Sequence, residues 1–268
     1  MRSEVAHLPH RSLRFFTSGE GRALVLLHAF PLSADQWLPQ LHRVPPGWRF
    51  VAPDLRGFRG VGPAFEDAGA AGLTLDDYAR DVAALLAHLE ITRAFVCGVS
   101  MGGYVALAFR RLFPSRVSGL VLSNTRAAAD TVDARAGRDS MIALVEREGV
   151  AAVAKEMTPR LLGETTRRDR PDLEDAVRRL ILVNAPAAIA TALAALRDRP
   201  DSTSLLSSID VPTLILVGDE DRVTPVSESE ALRDGIAGAE LVVLPRVGHL
   251  SNLEDPLGWN AALHRFLK

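Results

Sequence analysis

The amino-acid sequence predicts an α/β fold: a mostly parallel β-sheet, flanked by helices, with a helical cap inserted after its sixth strand. Two observations support this prediction. Short apolar runs alternate with longer helical patterns, which is the order expected of a parallel sheet covered on both faces. The alternation stops between about residues 126 and 208, where only helical patterns occur. A chain of 268 residues, 47% of them hydrophobic, can bury an ample core without disulfides or metals.

The strands are predicted first. Residues 4–17 alternate weakly between apolar and polar side chains, which indicates an antiparallel hairpin at the edge of the sheet. Later runs are apolar almost throughout, as expected of parallel strands that are buried on both faces. These runs occupy residues 23–28, 49–53, 94–99, 117–122, 213–217 and 241–244.

The helices are predicted from the spacing of apolar residues and from the prolines that end helices. Residues 74–89 show the spacing of an amphipathic helix, and residues 101–113 form a second helix closed by Pro114. Alanine-rich helical patterns at 141–145, 173–183 and 187–196 lie in the segment without strands. Helices inserted between two parallel strands are expected above the carboxyl edge of the sheet, where ligands bind. We therefore predict a core domain of residues 1–125 and 209–268 and a cap of residues 126–208.

Composition excludes several functional classes. The chain has 31 basic and 33 acidic residues, a formal net charge of −2, which predicts neither a nucleic-acid partner nor a membrane anchor. Cys97 is the only cysteine, so an intrachain disulfide and a cysteine zinc cluster are impossible. The N-terminal stretch has no signal-peptide core, and no apolar run reaches the length of a membrane span. These features predict a cytoplasmic protein.

The sequence GVSMG at residues 98–102 stands where a predicted buried strand meets a predicted helix. Glycine weakens both strands and helices, so Gly98 and Gly102 need another reason to be there. Gly-x-Ser-x-Gly in this context is the pattern of a nucleophile elbow, a sharp turn that exposes the hydroxyl of Ser100. The unsatisfied N–H groups at the start of the helix would face an oxyanion. A plain serine–glycine turn is the alternative interpretation.

A serine hydroxyl is a poor nucleophile unless a base accepts its proton. His249 is the candidate base, because it follows the last predicted strand in a glycine-containing loop that returns to the carboxyl edge. His28 ends a strand and is expected to be structural. The other histidines have helix-end, solvated or unassigned positions: His7, His10, His42, His88 and His264.

Three acids follow the strand at 213–217, in the sequence GDEDRVTP. A carboxylate at this edge could orient the imidazole and stabilise its protonated form. Asp219, Glu220 and Asp221 all remain candidates; Asp221 has a modest advantage because it lies deepest in the loop. The order serine, acid, histidine is that of α/β-hydrolases and differs from those of chymotrypsin and subtilisin.

Along nearly its whole length the chain resembles the α/β-hydrolase fold family, close to its esterase, 3-oxoadipate enol-lactonase and cofactor-free haloperoxidase group. In that family the acid lies in a Gly-x-x-Asp-x-x-x-Pro loop, which here runs from Gly218 to Pro225 and selects Asp221. The sequence DLRG at residues 54–57 matches a family turn that we interpret as structural. The sequence SNLEDP at residues 251–256 is also family-like and is expected to cap the last helix.

The sequence HAFP at residues 28–31 matches the family's His-Gly-x-Pro oxyanion loop, with Ala29 in place of the glycine. The resemblance implies that the backbone N–H groups of Phe30 and Met101 hold the oxyanion. The side chains of Phe30 and Met101 are then expected to contact the acyl group, and Trp37 is a further candidate for substrate binding. Core packing is the alternative for all three side chains.

The resemblance implies a serine hydrolase, a carboxylic ester hydrolase that cleaves a small ester or lactone through an acyl-enzyme intermediate. Ser100 would attack the carbonyl, His249 would accept its proton and Asp221 would hold the ring tautomer. No metal or organic cofactor is expected, and the expected partner is a small-molecule substrate. The alternatives are C–C bond hydrolysis or perhydrolysis on the same triad, and a ligand receptor without catalysis. Serine at the nucleophile position excludes the aspartate-based dehalogenase and epoxide-hydrolase branches.

Overall fold

The computed structural model describes residues 1–8, 11–59 and 72–268. His10 lies outside the described residues. The strands are β1 (Arg2–Leu8), β2 (Arg11–Gly19), β3 (Arg22–Leu27), β4 (Trp48–Pro53), β5 (Ala94–Val99), β6 (Val117–Ser123), β7 (Thr213–Gly218) and β8 (Glu240–Leu244). They form one eight-stranded sheet in the order β1-β2-β4-β3-β5-β6-β7-β8.

The sheet is mostly parallel, as predicted. β1 pairs with β2, and β2 with β4, in antiparallel orientation, so the hairpin lies at one edge. All further neighbours, from β4 through β3 and β5 to β8, are parallel. The six predicted apolar strands agree with the structure to within one residue at each end.

The helices are α1 (Leu38–Leu41), α2 (Leu75–His88), α3 (Met101–Leu112), α4 (Val132–Glu148), α5 (Val150–Leu161), α6 (Glu164–Asp169), α7 (Pro171–Leu182), α8 (Pro186–Arg197), α9 (Val226–Gly235), α10 (Ser251–Glu254) and α11 (Pro256–Phe266). Helix α2 begins with a capping box in which Thr74 and Asp77 satisfy each other's backbone N–H groups. Helix α11 is capped by Asp255, whose side chain accepts from the N–H of Gly258. The sequence SNLEDP therefore contains the predicted cap.

Helices α4 to α8 connect β6 to β7, and none of the residues between these two strands, all of which are described, forms a strand. Of these helices, α5 and α6 were not individually predicted. Within the described parts of the chain, no single helix is long and apolar enough to cross a membrane. Helices α7 and α8 reach that criterion only as a pair, and they are bent by 96° at the break between them.

Two hydrophobic clusters cover the two faces of the sheet. Because successive side chains of a strand point to opposite faces, Val25 and Leu27 of β3 join one cluster, while Leu24 and Leu26 join the other. The helices between β6 and β7 contribute to both clusters. In the first cluster their buried residues are Val145, Val153, Ile189, Ala192, Leu193, Ala195 and Leu196, together with core residues that include Phe30 and Met101.

Candidate active site

The predicted triad residues lie at the carboxyl ends of neighbouring parallel strands. Ser100 directly follows β5, Asp221 lies in the loop after β7, and His249 lies in the loop after β8. Strand β6, which lies between β5 and β7, ends next to Asn124. Since β5 to β8 are parallel neighbours, all these loops leave the sheet at the same edge.

Ser100 adopts a backbone conformation that is rare for a residue with a side chain. Its φ is 53° and its ψ is −113°. The Ser100 N–H donates to Ser123 O at 2.9 Å, and its carbonyl accepts from Gly103 N and Thr125 Oγ1, each also at 2.9 Å. Such strain persists only where the surroundings enforce it, and these bonds fix the turn from both sides.

The glycines around Ser100 are required by close approach. A Cβ on Gly98 would lie 2.1 Å from the backbone carbonyl carbon of Gly102 at the start of α3. A Cβ on Gly102 would lie 2.1 Å from Leu27 O at the end of β3. Side chains at these two positions would therefore collide with α3 and β3, which explains why both residues are glycine.

A buried acid–base pair stands beside this turn. His249 Nδ1 and Asp221 Oδ2 are 2.8 Å apart, and both side chains are almost fully buried. Asp221 Oδ2 also accepts from Thr224 Oγ1 at 2.7 Å and from Asn124 Nδ2 at 2.9 Å. Its Oδ1 accepts from the backbone N–H groups of Val223 and Thr224, at 2.8 and 2.9 Å.

The electrostatics keep this carboxylate charged. Burial alone would raise the pKa of Asp221, but the charge and hydrogen bond of His249, with further donors from Asn124 and Thr224, lower it to about 2. An ionised Asp221 is an acceptor, so we assign the proton on His249 to Nδ1. This tautomer leaves Nε2 free to accept a proton.

The other two acids of the loop have different partners. Asp219 is exposed, and its Oδ1 accepts from Arg246 N at 2.6 Å, across the turn after β8. Glu220 accepts from Thr165 N at 2.8 Å and from Thr165 Oγ1 at 2.5 Å, and Thr165 belongs to α6. Among the described residues, Asp221 is the carboxylate that contacts the His249 ring.

Ser100 and His249 share this edge without a direct bond. Ser100 Oγ has no hydrogen-bond partner among the described residues. The link between them runs through β6: Ser100 N–H donates to Ser123 O, and the next residue, Asn124, donates to Asp221 and to Gly248 O. Nucleophile–base contacts are often loose in ligand-free enzymes and tighten when substrate binds.

The loop after β3 holds one peptide plane in a defined orientation. Ala29 O accepts from Leu32 N at 2.9 Å and from His28 Nδ1 at 2.9 Å. In a trans peptide the C=O and N–H point in opposite directions, so the Phe30 N–H faces away from these donors. Within the described chain, neither Phe30 N–H nor Met101 N–H has an acceptor, which leaves both available to a ligand.

His28 has both ring nitrogens occupied. Besides the bond from Nδ1 to Ala29 O, Nε2 accepts from Leu55 N at 3.0 Å. Burial lowers the pKa of His28 to about 4, and the charge of Arg14 contributes in the same direction. His28 is therefore neutral near pH 7 and serves as a structural bridge between the β3 and β4 loops.

Trp37 packs in the hydrophobic core. It is fully buried, and its ring packs 5.6 Å from that of Trp259. It belongs to the cluster containing Leu24 and Leu26, whereas Phe30 and Met101 belong to the cluster on the other face. This packing favours the alternative of core packing for Trp37, and its role in substrate binding stays a prediction.

Two residues of the site were missed from the sequence. Asn124 and Thr224 each donate to Asp221, and Asn124 also holds the carbonyl beside His249. A signal for Asn124 existed in the polar triplet SNT at residues 123–125, directly after an apolar strand. No group of three metal-ligating side chains occurs in the ranges that the structure covers.

The chain matches known proteins along most of its length. A family model described as alpha/beta hydrolase fold matches residues 22–256. The 3-oxoadipate enol-lactonase 2 of Acinetobacter baylyi is 27% identical over 259 residues, which cover 96% of this chain and 93% of that protein.

Solved structures with the same fold match the chain along nearly its whole length. A thermophilic esterase from Thermogutta terrifontis superimposes with a TM-score of 0.91 at 36% identity, covering 100% of this chain and 98% of that one. The enol-lactonase from Burkholderia xenovorans LB400 superimposes with a TM-score of 0.88 at 25% identity, with 98% and 99% covered. Both the fold and its extent are therefore shared with proteins named for ester and lactone cleavage.

Proposed function

The chain belongs to the α/β-hydrolase family and is a hydrolase of carboxylic esters or lactones, and we propose that it works through an acyl-enzyme formed on Ser100. The observation that carries the proposal is the buried pair of His249 and Asp221, 2.8 Å apart, at the sheet edge from which Ser100 projects. Together these side chains supply a nucleophile, a base and a group that orients the base.

Acylation begins when Ser100 Oγ attacks the substrate carbonyl carbon. The hydroxyl proton passes to His249 Nε2, and the charge of Asp221 stabilises the imidazolium that results. When the tetrahedral intermediate collapses, its bond to the leaving oxygen breaks and His249 donates the proton to that oxygen. An ester then loses its alcohol, whereas the alcohol of a lactone stays attached to the acyl group.

Deacylation repeats these steps with water. His249 removes a proton from water, which attacks the acyl carbon, and the bond to Ser100 Oγ breaks. His249 returns the proton to Ser100, and a carboxylic acid leaves. The enzyme is regenerated with Ser100 protonated and His249 neutral.

The backbone N–H groups of Phe30 and Met101 hold the oxyanion in both half-reactions. They lack acceptors within the described chain, and Met101 begins helix α3, whose positive dipole end favours negative charge. One such donor elsewhere contributes about 2.7–4 kcal/mol to the transition state. The buried side chains of Phe30 and Met101 would contact the acyl group beside these donors.

The experiment is a comparison of turnover between the wild type and Ser100→Ala. Substrates are aryl esters of increasing acyl length and a set of simple lactones. We expect turnover by the wild type and a loss of at least about 10³-fold in kcat for Ser100→Ala. Turnover that survives in Ser100→Ala would contradict the mechanism, and binding without turnover by the wild type would favour the receptor alternative.

A further inference from the structure

Hydrogen bonds join the loop that carries His249 to the segment of helices between β6 and β7. The carboxylate of Glu254, the last residue of α10, lies between the two. Its side chain is buried, and none of the chemical steps described above uses it.

Glu254 accepts hydrogen bonds from three backbone N–H groups. Oε2 accepts from Gly248 N at 2.9 Å and from Gly163 N at 2.8 Å, and Oε1 accepts from Leu250 N at 3.1 Å. Gly248 and Leu250 are the residues on either side of His249. The backbone is therefore held on both sides of the imidazole by one side chain.

A carboxylate is suited to this arrangement. It offers two oxygens that only accept, whereas an amide of the same shape replaces one oxygen with an NH₂ group that only donates. Burial raises the pKa of the Glu254 carboxyl, and hydrogen bonds from Thr166 and from the three backbone N–H groups oppose that rise. Glutamine at this position would place its NH₂ against at least one buried N–H, at the cost of an unmade hydrogen bond.

Gly163, which lies between α5 and α6, makes a backbone contact with the same loop. Leu250 N also donates to Leu161 O at 3.2 Å. A Cβ on Gly248 would lie 2.2 Å from Gly163 N, and a Cβ on Gly163 would lie 2.8 Å from Gly248 N. The two segments approach this closely because both positions lack a side chain, and Glu254 satisfies the N–H groups that meet there.

We propose that Glu254 is a positioning residue for His249, which it holds in register with Asp221 by tying the histidine loop to the α5–α6 junction. It acts through the backbone and does not touch substrate. The junction would then set the geometry of the base. This inference rests on the proposed function, since it assumes that His249 is the base.

The test compares Glu254→Gln with Glu220→Gln. Glu220 is a matched control, because its carboxylate also receives hydrogen bonds from α6 but contacts neither Gly248 N nor Leu250 N. For each variant we would measure kcat and KM on one activated aryl ester and the rate of labelling by a fluorophosphonate. Assays at about pH 8 favour the ionised carboxyl.

We expect Glu254→Gln to lower kcat and the labelling rate by about 10–100-fold, because small displacements of a catalytic group have costs of this size. KM should stay within about threefold, since ground-state binding does not involve the loop backbone. Glu220→Gln should keep wild-type rates. A Glu254→Gln protein that folds and matches Glu220→Gln in both rates overturns the proposal.

If Glu254→Gln does not fold, the same measurements are made on Gly163→Ala. Its new Cβ would press on Gly248 N and on Glu220 Oε2, at 2.8 and 2.6 Å, and should move the junction away from the histidine loop. We expect the same selective fall in kcat and labelling rate, and unchanged rates overturn the proposal. A wild type that neither labels on Ser100 nor turns over ester would refute the proposed function instead, so the two failures are distinguishable.

Discussion

Five hydrogen bonds converge on the carboxylate of Asp221, from His249, Asn124, Val223 and twice from Thr224. These donors and the charge of His249 outweigh the cost of burial and lower the pKa of Asp221 to about 2. The residue is therefore ionised near neutral pH. A permanent charge at this place is what a base needs if it is to become cationic during the reaction.

Replacing Asp221 by Asn should lower kcat at least about 10²-fold, because it removes that charge and can favour the wrong tautomer of His249. Asp219→Asn is the matched control, since Asp219 is an exposed acid of the same loop that contacts Arg246 N. It should stay within about twofold of the wild type. Steady-state kinetics on one activated ester decide the matter, and a severe loss at Asp219 with a mild one at Asp221 would transfer the role to Asp219.

At the scale of elements, the helices between β6 and β7 contact two loops of the proposed site. Asn184, which follows α7, donates to Pro31 O at 2.8 Å in the loop after β3. The segment between α5 and α6 contacts the histidine loop through Leu161 and Gly163. Apolar residues of α5 and α8 join the cluster that contains Phe30 and Met101. We propose that residues 126–208 form a cap over the carboxyl edge.

If this cap forms part of the acyl pocket, its apolar side chains should set the preferred acyl length. Val153→Ala and Ile189→Ala enlarge the space in the cluster of Phe30 and Met101, and should shift preference toward longer acyl chains. Val177→Ala is the control, because Val177 is a buried cap residue of the other cluster. Relative kcat/KM over an aryl ester series measures the shift, and an unchanged profile in both variants would place the cap away from the site.

The two ends of the proposed cap are joined by a buried ion cluster. Asp130 pairs with Arg126 at 2.8 Å and with Arg199 at 2.6 Å, and Arg138 of α4 lies 3.1 Å away. Arg199 also stacks over the ring of Tyr104 in α3, 4.2 Å from its centroid. The first and last parts of the segment 126–208 are thus joined to each other and to α3, the helix that follows Ser100.

The sequence predicted the sheet well for a physical reason. Strands buried on both faces leave continuous apolar runs, and that signal is local. Helix α6, with the sequence ETTRRD, was missed because it has no apolar periodicity, and α5 contains Pro159, which reads as a break. The packing of Trp37 against Trp259 could not be predicted, because the two residues are distant in the chain.

The confirmed predictions are the family, the fold class and the hydrolase class. The positions of Ser100 and His249 followed from motif and strand order, which are local signals. The contact of Glu254 with Gly163 could not be predicted, because it joins segments 91 residues apart in the chain. Long-range contacts of this kind leave no periodicity in a sequence.

For the whole molecule, His28 makes stability depend on pH. Its pKa is about 4 in the folded protein, against an ordinary value of 6.5. Between these values an unfolded chain binds a proton that the folded chain excludes, so stability falls as the pH falls from 6.5 toward 4. In the folded protein the ring stays neutral down to about pH 4, and with it the orientation of the Phe30 N–H is preserved.

From about pH 7 to about pH 5, the free energy of unfolding of the wild type should fall by about 2 kcal/mol more than that of His28→Asn. The other histidines are common to both proteins, so their contribution cancels in the difference. Urea unfolding at both pH values measures it. An equal pH dependence in the two proteins would show that His28 titrates normally.

The central claim is that Ser100 is the nucleophile, and covalent labelling tests it most directly. The wild type is treated with a fluorophosphonate, its intact mass is measured, and the modified peptide is sequenced by mass spectrometry. We predict a single adduct on Ser100, no adduct on Ser100→Ala, and loss of ester turnover in proportion to labelling. An adduct on a different serine, or full turnover by a protein that carries the adduct on Ser100, would contradict the account.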